Sequence, residues 1–230
     1  VNINFDDYES RNYFDLQLRK CGLFARLEER AGRLNSQHKA IGKSGEIVVE
    51  RFANNIVLYR TDFASDKGTL MLNSHIDTVA AAPAYSFDPF SPFEKDGAVY
   101  GLGSNDDGAS VVSQIETFFH LTAEEGLAVN LILVLSAEEE RSGSNGIAGF
   151  VEKFHLQPDF AIIGEPTGMQ AAIAERGLLV LDGTATGVSG HAARNEGRNA
   201  LYMALEDIQK LRSHEFERIS QRMGKVNLNV

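Results

Sequence analysis

The chain has 230 residues, 43% of them hydrophobic, and a formal net charge of -10. That length supports one substantial core, or one core plus a smaller module, and the acidic balance offers no basic footprint for a nucleic acid. No apolar run reaches membrane-spanning length, the first residues lack the basic-then-apolar pattern of a signal peptide, and the single cysteine, Cys21, has no intrachain disulfide partner, which points to a reducing, cytoplasmic setting.

Residues 1 to about 40 read as irregular, then helical. In YFDLQLRKCGLFARLEERAGRL the residues Phe14, Leu16, Leu18, Leu23, Leu27 and Leu34 fall roughly on one helical face. EIVVERFANNIVLYR alternates around Asn54-Asn55, a hairpin signal. GTLMLNSHIDTV is a short apolar strand ending in polar residues, and FEKDGAVYGLG reads as a second hairpin with Asp96-Gly97 at its turn. GASVVSQIETFFHLTAEE has helical spacing at Val111, Val112, Ile115, Phe118 and Phe119. VNLILVLSAEEE is a nearly continuous apolar strand of the kind buried on both faces of a parallel sheet. NGIAGFVEKF then reads as a helix and DFAIIGEPT as another buried strand, so the alternation predicts an α/β sandwich. After Gly168 the texture changes: AAIAERGLLVLDGTATG predicts a long strand, RNALYMALEDIQKLRS an amphipathic helix, and GKVNLNV the start of another strand. Two domains are therefore expected, 1-168 and 169-230, the second represented by its first part only.

Three of the apolar strands deliver polar residues at their C-terminal ends. The first gives His75 and Asp77, the second Glu138, Glu139 and Glu140, and the third Glu165, while Asp106 and Asp107 stand just before a helix. In an open α/β sheet, ligands bind beyond the carboxyl ends of the strands. Taken singly, each residue has an ordinary reading: a packed histidine, a solvated glutamate, a helix cap at Asp106. Jointly, those readings require several element ends to carry imidazole or carboxylate by accident. A phosphate-binding loop at GLGSNDDG fails on its own residues. The stretch is neither G-x-G-x-x-G nor G-x-x-x-x-G-K-[ST], no lysine follows, and two aspartates would repel a pyrophosphate. Its glycines instead permit a tight path that presents Asp106.

SHIDTV, GLGSNDDGAS, LSAEEERSG, GEPT and SGHAA stand in the order and spacing of the dinuclear zinc M20 metallopeptidase and deacylase family. The chain resembles its acetylornithine deacetylase branch over about residues 45 to 230. The resemblance implies a three-layer α/β/α zinc-hydrolase catalytic domain with an inserted α+β, ferredoxin-like dimerisation or lid domain that this chain does not complete. It implies two zinc ions, with cobalt or manganese as substitutes. His75 and Glu165 would hold the first ion, Glu140 the second, and Asp106 would bridge both, a donor set suited to Zn²⁺. It also implies a cis peptide between Asp106 and Asp107 that turns the Asp106 carboxylate toward the ions. Asp77 is expected to hydrogen-bond the His75 imidazole and fix its tautomer.

Glu139 is the candidate general base, taking a proton from the attacking water and handing it to the leaving amine. Base and ligand must be different residues, and the adjacent Glu139-Glu140 pair supplies both. His191 of the second domain is expected to reach a partner subunit's active site and stabilise the oxyanion, in a homodimer formed through that domain. Arg176 and Arg194 are candidates for binding a substrate carboxylate through the guanidinium fork. Three features depart from the family pattern. Asp107 replaces an apolar or small residue and adds charge beside the metals, Glu138 stands where Asp is commoner and reads as outer support or exposed, and the family's last histidine ligand would lie beyond Val230. The expected activity is removal of an N-acyl group from an amino acid, in arginine biosynthesis. A dipeptidase or carboxypeptidase of the same family, or a metal-free binding or dimerisation remnant, are the alternatives.

Overall fold

The computed structural model describes residues 22–124, 126–141, 143–194 and 196–230. Cys21 and the part of the expected first helix that carries Phe14, Leu16 and Leu18 lie outside the described residues. The chain divides into two compact units, Val1–Met169 and Gln170–Val230.

A strand that is buried at every position needs cover on both faces. β6 (Asn130–Ser136) is such a strand, and it lies at the centre of a five-stranded sheet. The order is β1 (Ile47–Phe52), β2 (Asn55–Arg60), β6, β3 (Thr69–His75), β7 (Phe160–Ile163). β3 runs parallel to both β6 and β7, whereas β2 is antiparallel to β1 and to β6.

Side-chain alternation sorts the core into two faces. Leu131, Leu133 and Leu135 join Ile56, Leu58 and Leu72 on one face, against Leu27 and Ala31 of α1 (Leu23–Ala40) and Val111, Ile115, Phe118 and Phe119 of α2 (Gly108–Ala123). Ile132 and Val134 join Val57 and Met71 on the other, against Phe150 of α3 (Ile147–Phe154). The first unit is thus a three-layer α/β/α sandwich around a mixed sheet. In α2 the buried positions follow the i, i+4, i+7, i+8 stripe. Val112 is the exception to the expected apolar face: it is 60% exposed, one residue round the helix from Val111.

Both predicted hairpins form. In the first, Phe52 pairs with Asn55, so the two turn residues are Ala53, with φ of 50°, and Asn54. Asn55, expected in the turn, instead opens β2 and is fully buried. The second hairpin, β4 (Phe93–Lys95) and β5 (Ala98–Tyr100), turns on Asp96 and Gly97, both with positive φ, as a two-residue primed turn requires.

Three expected elements differ. DFAIIGEPT does contain a strand, but β7 is exposed along its whole length, not buried. It pairs with β3 on one side only, and no described strand pairs with its other edge. In the second unit, residues 171–187 form no strand, and Leu178, Leu179, Val180 and Leu181 are 71% to 90% exposed. Residues 225–230 likewise form none. A strand exists only with a ladder partner, and the pairings described in this unit are two isolated bridges, Val188 with Arg198 and Ser220 with Gly224. The helix expected there does form as α4 (Ala200–Ser213), capped by Asn199, whose side-chain oxygen accepts from the Leu201 N–H at 2.9 Å. No helix among the described residues is long and apolar enough to cross a membrane.

Leu133 is fully buried where β6 pairs with Leu58 and Leu72 of its neighbours. Leu133→Ala is expected to destabilise the first unit by about 2–5 kcal/mol, through lost burial and the cavity left behind. Urea denaturation of the two proteins measures it.

Candidate metal centre

Parallel register decides where the ionisable groups meet. His75 is level with Ser136, and Asn73 with Ile163, so the C-terminal ends of β3, β6 and β7 lie together at one end of the sheet. Backbone bonds continue that alignment past the strands, from Ile76 N–H to Ser136 O at 2.8 Å and from Gly164 N–H to Asn73 O at 2.7 Å. Gly164 has no room for a Cβ, which would strike the side chains of Ser74 and Ser110. That close approach brings Glu165 beside β3.

His75 is the buried centre of the group, with its side chain 2% exposed. Its Nδ1 stands 3.0 Å from the Asp77 carbonyl oxygen and its Nε2 stands 2.9 Å from Asp106 Oδ1. The contact expected between the imidazole and the Asp77 carboxylate is therefore made by the Asp77 backbone. Oδ1 of Asp77 is 3.6 Å from Nδ1, an ion-pair rather than a hydrogen-bond distance. The Asp77 carboxylate instead accepts the backbone N–H of Glu139 at 3.2 Å and of Glu140 at 3.3 Å. Glu139 and Glu140 begin a 3-10 turn, Glu139–Arg141, which Asp77 thus ties to the end of β3. Glu139 Oε2 lies 4.0 Å from His75 Nε2.

The GLGSNDDG stretch forms successive turns and enters α2 at Gly108. The Asp106–Asp107 peptide is cis, as the sequence resemblance implies. Neither aspartate caps the helix through its side chain: the Asp106 carboxylate is on His75, and Asp107 makes no capping bond. Asp107, expected to add charge beside the metals, is 1% exposed, its Oδ2 accepts the His75 backbone N–H at 3.2 Å, and its charge does act on the neighbouring Glu165. Its other oxygen is buried without a hydrogen-bond partner among the described residues.

The electrostatics are lopsided. Burial pushes the Glu139 carboxyl up, and Glu140, Asp77 and Asp106 add to the rise against the opposing pull of His75. Glu165 is raised for the same reasons, by burial first and by Glu139, Asp107 and Asp106. On His75, burial favours the neutral ring, but the Asp77 and Asp106 carboxylates outweigh it and raise the group from 6.5 to about 10. One imidazole thus stands among carboxylates that repel one another, and a proton sits where a cation would compensate more charge. Two sets among the described residues bring three ligand atoms within 4.8 Å of one another: His75 with Asp106 and Glu165, and His75 with Glu139 and Glu140. The first is the set expected for one ion. The second includes the expected base, Glu139, and no such set joins Asp106 to Glu140. Imidazole nitrogen with carboxylate oxygen is a donor set that fits Zn²⁺.

The remaining candidates lie in the second unit. His191 Nδ1 accepts the Ala193 N–H at 3.2 Å. Arg194 is an exposed guanidinium 4.0 Å from Glu196. Arg176 places Nε at 3.0 Å and Nη2 at 2.6 Å from the Met223 carbonyl, so its fork is engaged by backbone within its own unit.

Sequence reasoning missed one support and left another open. Gln114 of α2 donates to Asn73 O at 3.1 Å and Ile162 O at 3.2 Å, joining β3 to β7 under the site. Glu138, read from the sequence as outer support or exposed, is 6% exposed and bonded to Asn145, so it belongs to the support. The sequence signal that marked Gln114 is its helical position, beside Ile115 and three residues after Val111 on a buried stripe.

The sequence model of peptidase family M20/M25/M40 matches residues 71–221, which includes every strand end that builds this site. The chain belongs to that family. It is 36% identical to an acetylornithine deacetylase of Proteus mirabilis (strain HI4320) over 149 residues, 64% of this chain and 38% of that protein. It is 31% identical to a succinyl-diaminopimelate desuccinylase of Paracidovorax citrulli (strain AAC00-1) over 164 residues, 65% of this chain and 42% of that protein. The chain thus spans about two fifths of the length of these relatives. A tripeptidase structure from Staphylococcus aureus subsp. aureus mu50 shares the fold, with a TM-score of 0.51 at 19% identity over 82% of this chain and 50% of that one.

Because His75 holds its proton up to about pH 10, the cation-free protein should keep that ring charged across the neutral range. A cation must displace the proton. Adding Zn²⁺ at pH 7 is expected to release about one proton, since ligands bind metal in their deprotonated form. Calorimetry in buffers of differing ionisation heat counts it, and no release would remove His75 from the ligand set.

Proposed function

We propose that the protein is a zinc-dependent amidohydrolase that removes an N-acyl group from an amino acid, of the acetylornithine deacetylase type. The observation that carries the reading is the convergence of His75, Asp106, Glu139, Glu140 and Glu165 at the C-terminal ends of three parallel-linked strands. In this reading His75, Asp106 and Glu165 hold one ion, and Asp106 and Glu140 hold a second. When bound, the ions supply Lewis-acid polarisation of the amide carbonyl and make water at the site more acidic.

The chain's own residues do the rest. Glu139 takes the proton of the attacking water and passes it to the departing amine. Its raised pKa suits that exchange, because a base works best when its pKa approaches the working pH. Asp77 holds the Glu139 and Glu140 backbone in place through its two carboxylate oxygens. Asp107 fixes the His75 backbone. His191, with Nδ1 held by a backbone N–H, has Nε2 left to stabilise an oxyanion. In the expected homodimer, that oxyanion would be in the partner subunit. Arg194 is the better candidate for a substrate carboxylate, since the Arg176 fork is already engaged. The names of the relatives, a deacetylase and a desuccinylase, support an N-acyl amino acid as substrate, and arginine biosynthesis in the cytoplasm is the setting we infer.

The test uses protein extended to the relatives' length, assayed on a panel of N-acyl amino acids and dipeptides. About two zinc ions per chain after dialysis and turnover of the N-acyl compounds are expected. Glu139→Gln should keep the metal and lose about 10²-fold to 10⁴-fold in turnover. Hydrolysis confined to dipeptides would overturn the deacylase assignment, and a chain that retains no metal would overturn the hydrolase.

A further inference from the structure

Two buried polar side chains that take no part in the chemistry lie directly behind the Glu139–Glu140 pair. Asn55, at the start of β2, is fully buried. Its Oδ1 accepts the Ala137 N–H at 2.8 Å, and its Nδ2 donates to Phe52 O at 3.0 Å and to Asn145 O at 2.7 Å. A single amide therefore grips both ends of the segment that leaves β6 and leads into α3. Glu138 grips the same segment from inside. Its φ of 63° sends the chain through a left-handed turn at the end of the strand. Its carboxylate then points inward, with Oε2 accepting the Asn145 N–H at 3.1 Å and Oε1 facing Asn145 Nδ2 at 3.4 Å. Its carbonyl accepts the Gly143 N–H at 2.9 Å. Gly143 must be glycine, because a Cβ there would collide with the Glu138 carboxylate.

These bonds account for every hydrogen-bonding atom of the Asn55 side chain and close a ring through Ala137, Glu138, Asn145 and Asn55. A buried carboxylate with no cationic partner among the described residues is costly, and an amide this deep contributes little apolar burial. Both are better explained by where they hold the backbone. Resting on the hydrolase reading above, we propose that Asn55 and Glu138 are positioning residues: they fix the backbone at Ala137, Glu138, Gly143 and Asn145 so that Glu139 and Glu140 present their carboxylates to His75. The Asp77 carboxylate holds the same turn through the Glu139 and Glu140 N–H groups, so the turn is held by three side chains.

The test compares Asn55→Ala and Glu138→Ala with Glu138→Gln, which keeps an acceptor for the Asn145 N–H, and with Leu27→Ala, a core truncation in α1 outside the network. Hydrogen exchange of the Glu139 and Glu140 amides is read first, without metal. Both alanine variants should speed it by about tenfold or more, because local opening is what exchange reports. Glu138→Gln should restore protection, and Leu27→Ala should leave the protection of these two amides relative to the rest of the unit unchanged. Co²⁺ titration followed by the visible spectrum is read second. The alanine variants should bind about 10-fold to 100-fold more weakly, the usual effect of losing a group that orients a ligand, with an altered spectrum. If Asn55→Ala and Glu138→Ala lose only global stability, as Leu27→Ala does, the positioning role is overturned. Wild-type protein that binds no Co²⁺ would overturn the hydrolase reading instead, while the exchange arm still decides this one.

Discussion

Parallel pairing of β3 with both β6 and β7 is the constraint on which the site depends. Each strand carries its polar residues at or just past its last ladder position, and the register brings those ends together. A parallel sheet has all its strand ends of one kind on one side, so residues about sixty and ninety positions apart are delivered to a common edge. The antiparallel β1–β2 hairpin extends the sheet on the far side of β6 without adding a group to that edge, but it supplies Asn55 behind it. Apolar packing on both faces holds the register: a slip of one residue would turn Leu131, Leu133 and Leu135 from one core to the other.

Charge at the edge is organised in two layers with different chemistry. Asp106, Glu139 and Glu165 meet around His75, where burial first and then carboxylate repulsion raise the glutamates, while the Asp77 and Asp106 carboxylates raise the imidazole. Behind them, Asp77, Asp107, Glu138 and Gln114 bond mainly to backbone N–H groups or carbonyls. The outer set carries three carboxylates of its own, yet it uses them to fix geometry. This explains why two adjacent aspartates differ so sharply: Asp106 remains half-exposed beside the imidazole, while Asp107 is buried against the β3 backbone.

The second unit shows what an apolar run does when no ladder partner is at hand. Leu178–Leu181 has a strand-like composition, yet these side chains remain largely exposed and the backbone makes no ladder. α4 forms nonetheless, because a helix satisfies its hydrogen bonds within itself and Asn199 caps its start. Local structure that is self-sufficient survives there, and structure that needs a distant partner does not.

The sequence alone determined the elements whose signal is local. The periods of β6 and α2, the Asp96-Gly97 turn and the placement of His75, Asp106, Glu139, Glu140 and Glu165 at element ends were all legible, because side-chain period and turn chemistry are set by neighbours in the chain. Tertiary structure decided everything that rests on distant partners. It placed Asn55 in the core rather than in its turn, and it gave the imidazole bond to the Asp77 backbone while its carboxylate went to Glu139 and Glu140. It buried Glu138 and Asp107 and exposed β7. What a carboxylate does depends on which N–H, ring or cation lies within about 3 Å of it, and composition and spacing do not encode that distance. The sequence could name the groups at the sheet edge, but only the folded chain could separate those that face the site from those that hold it in place.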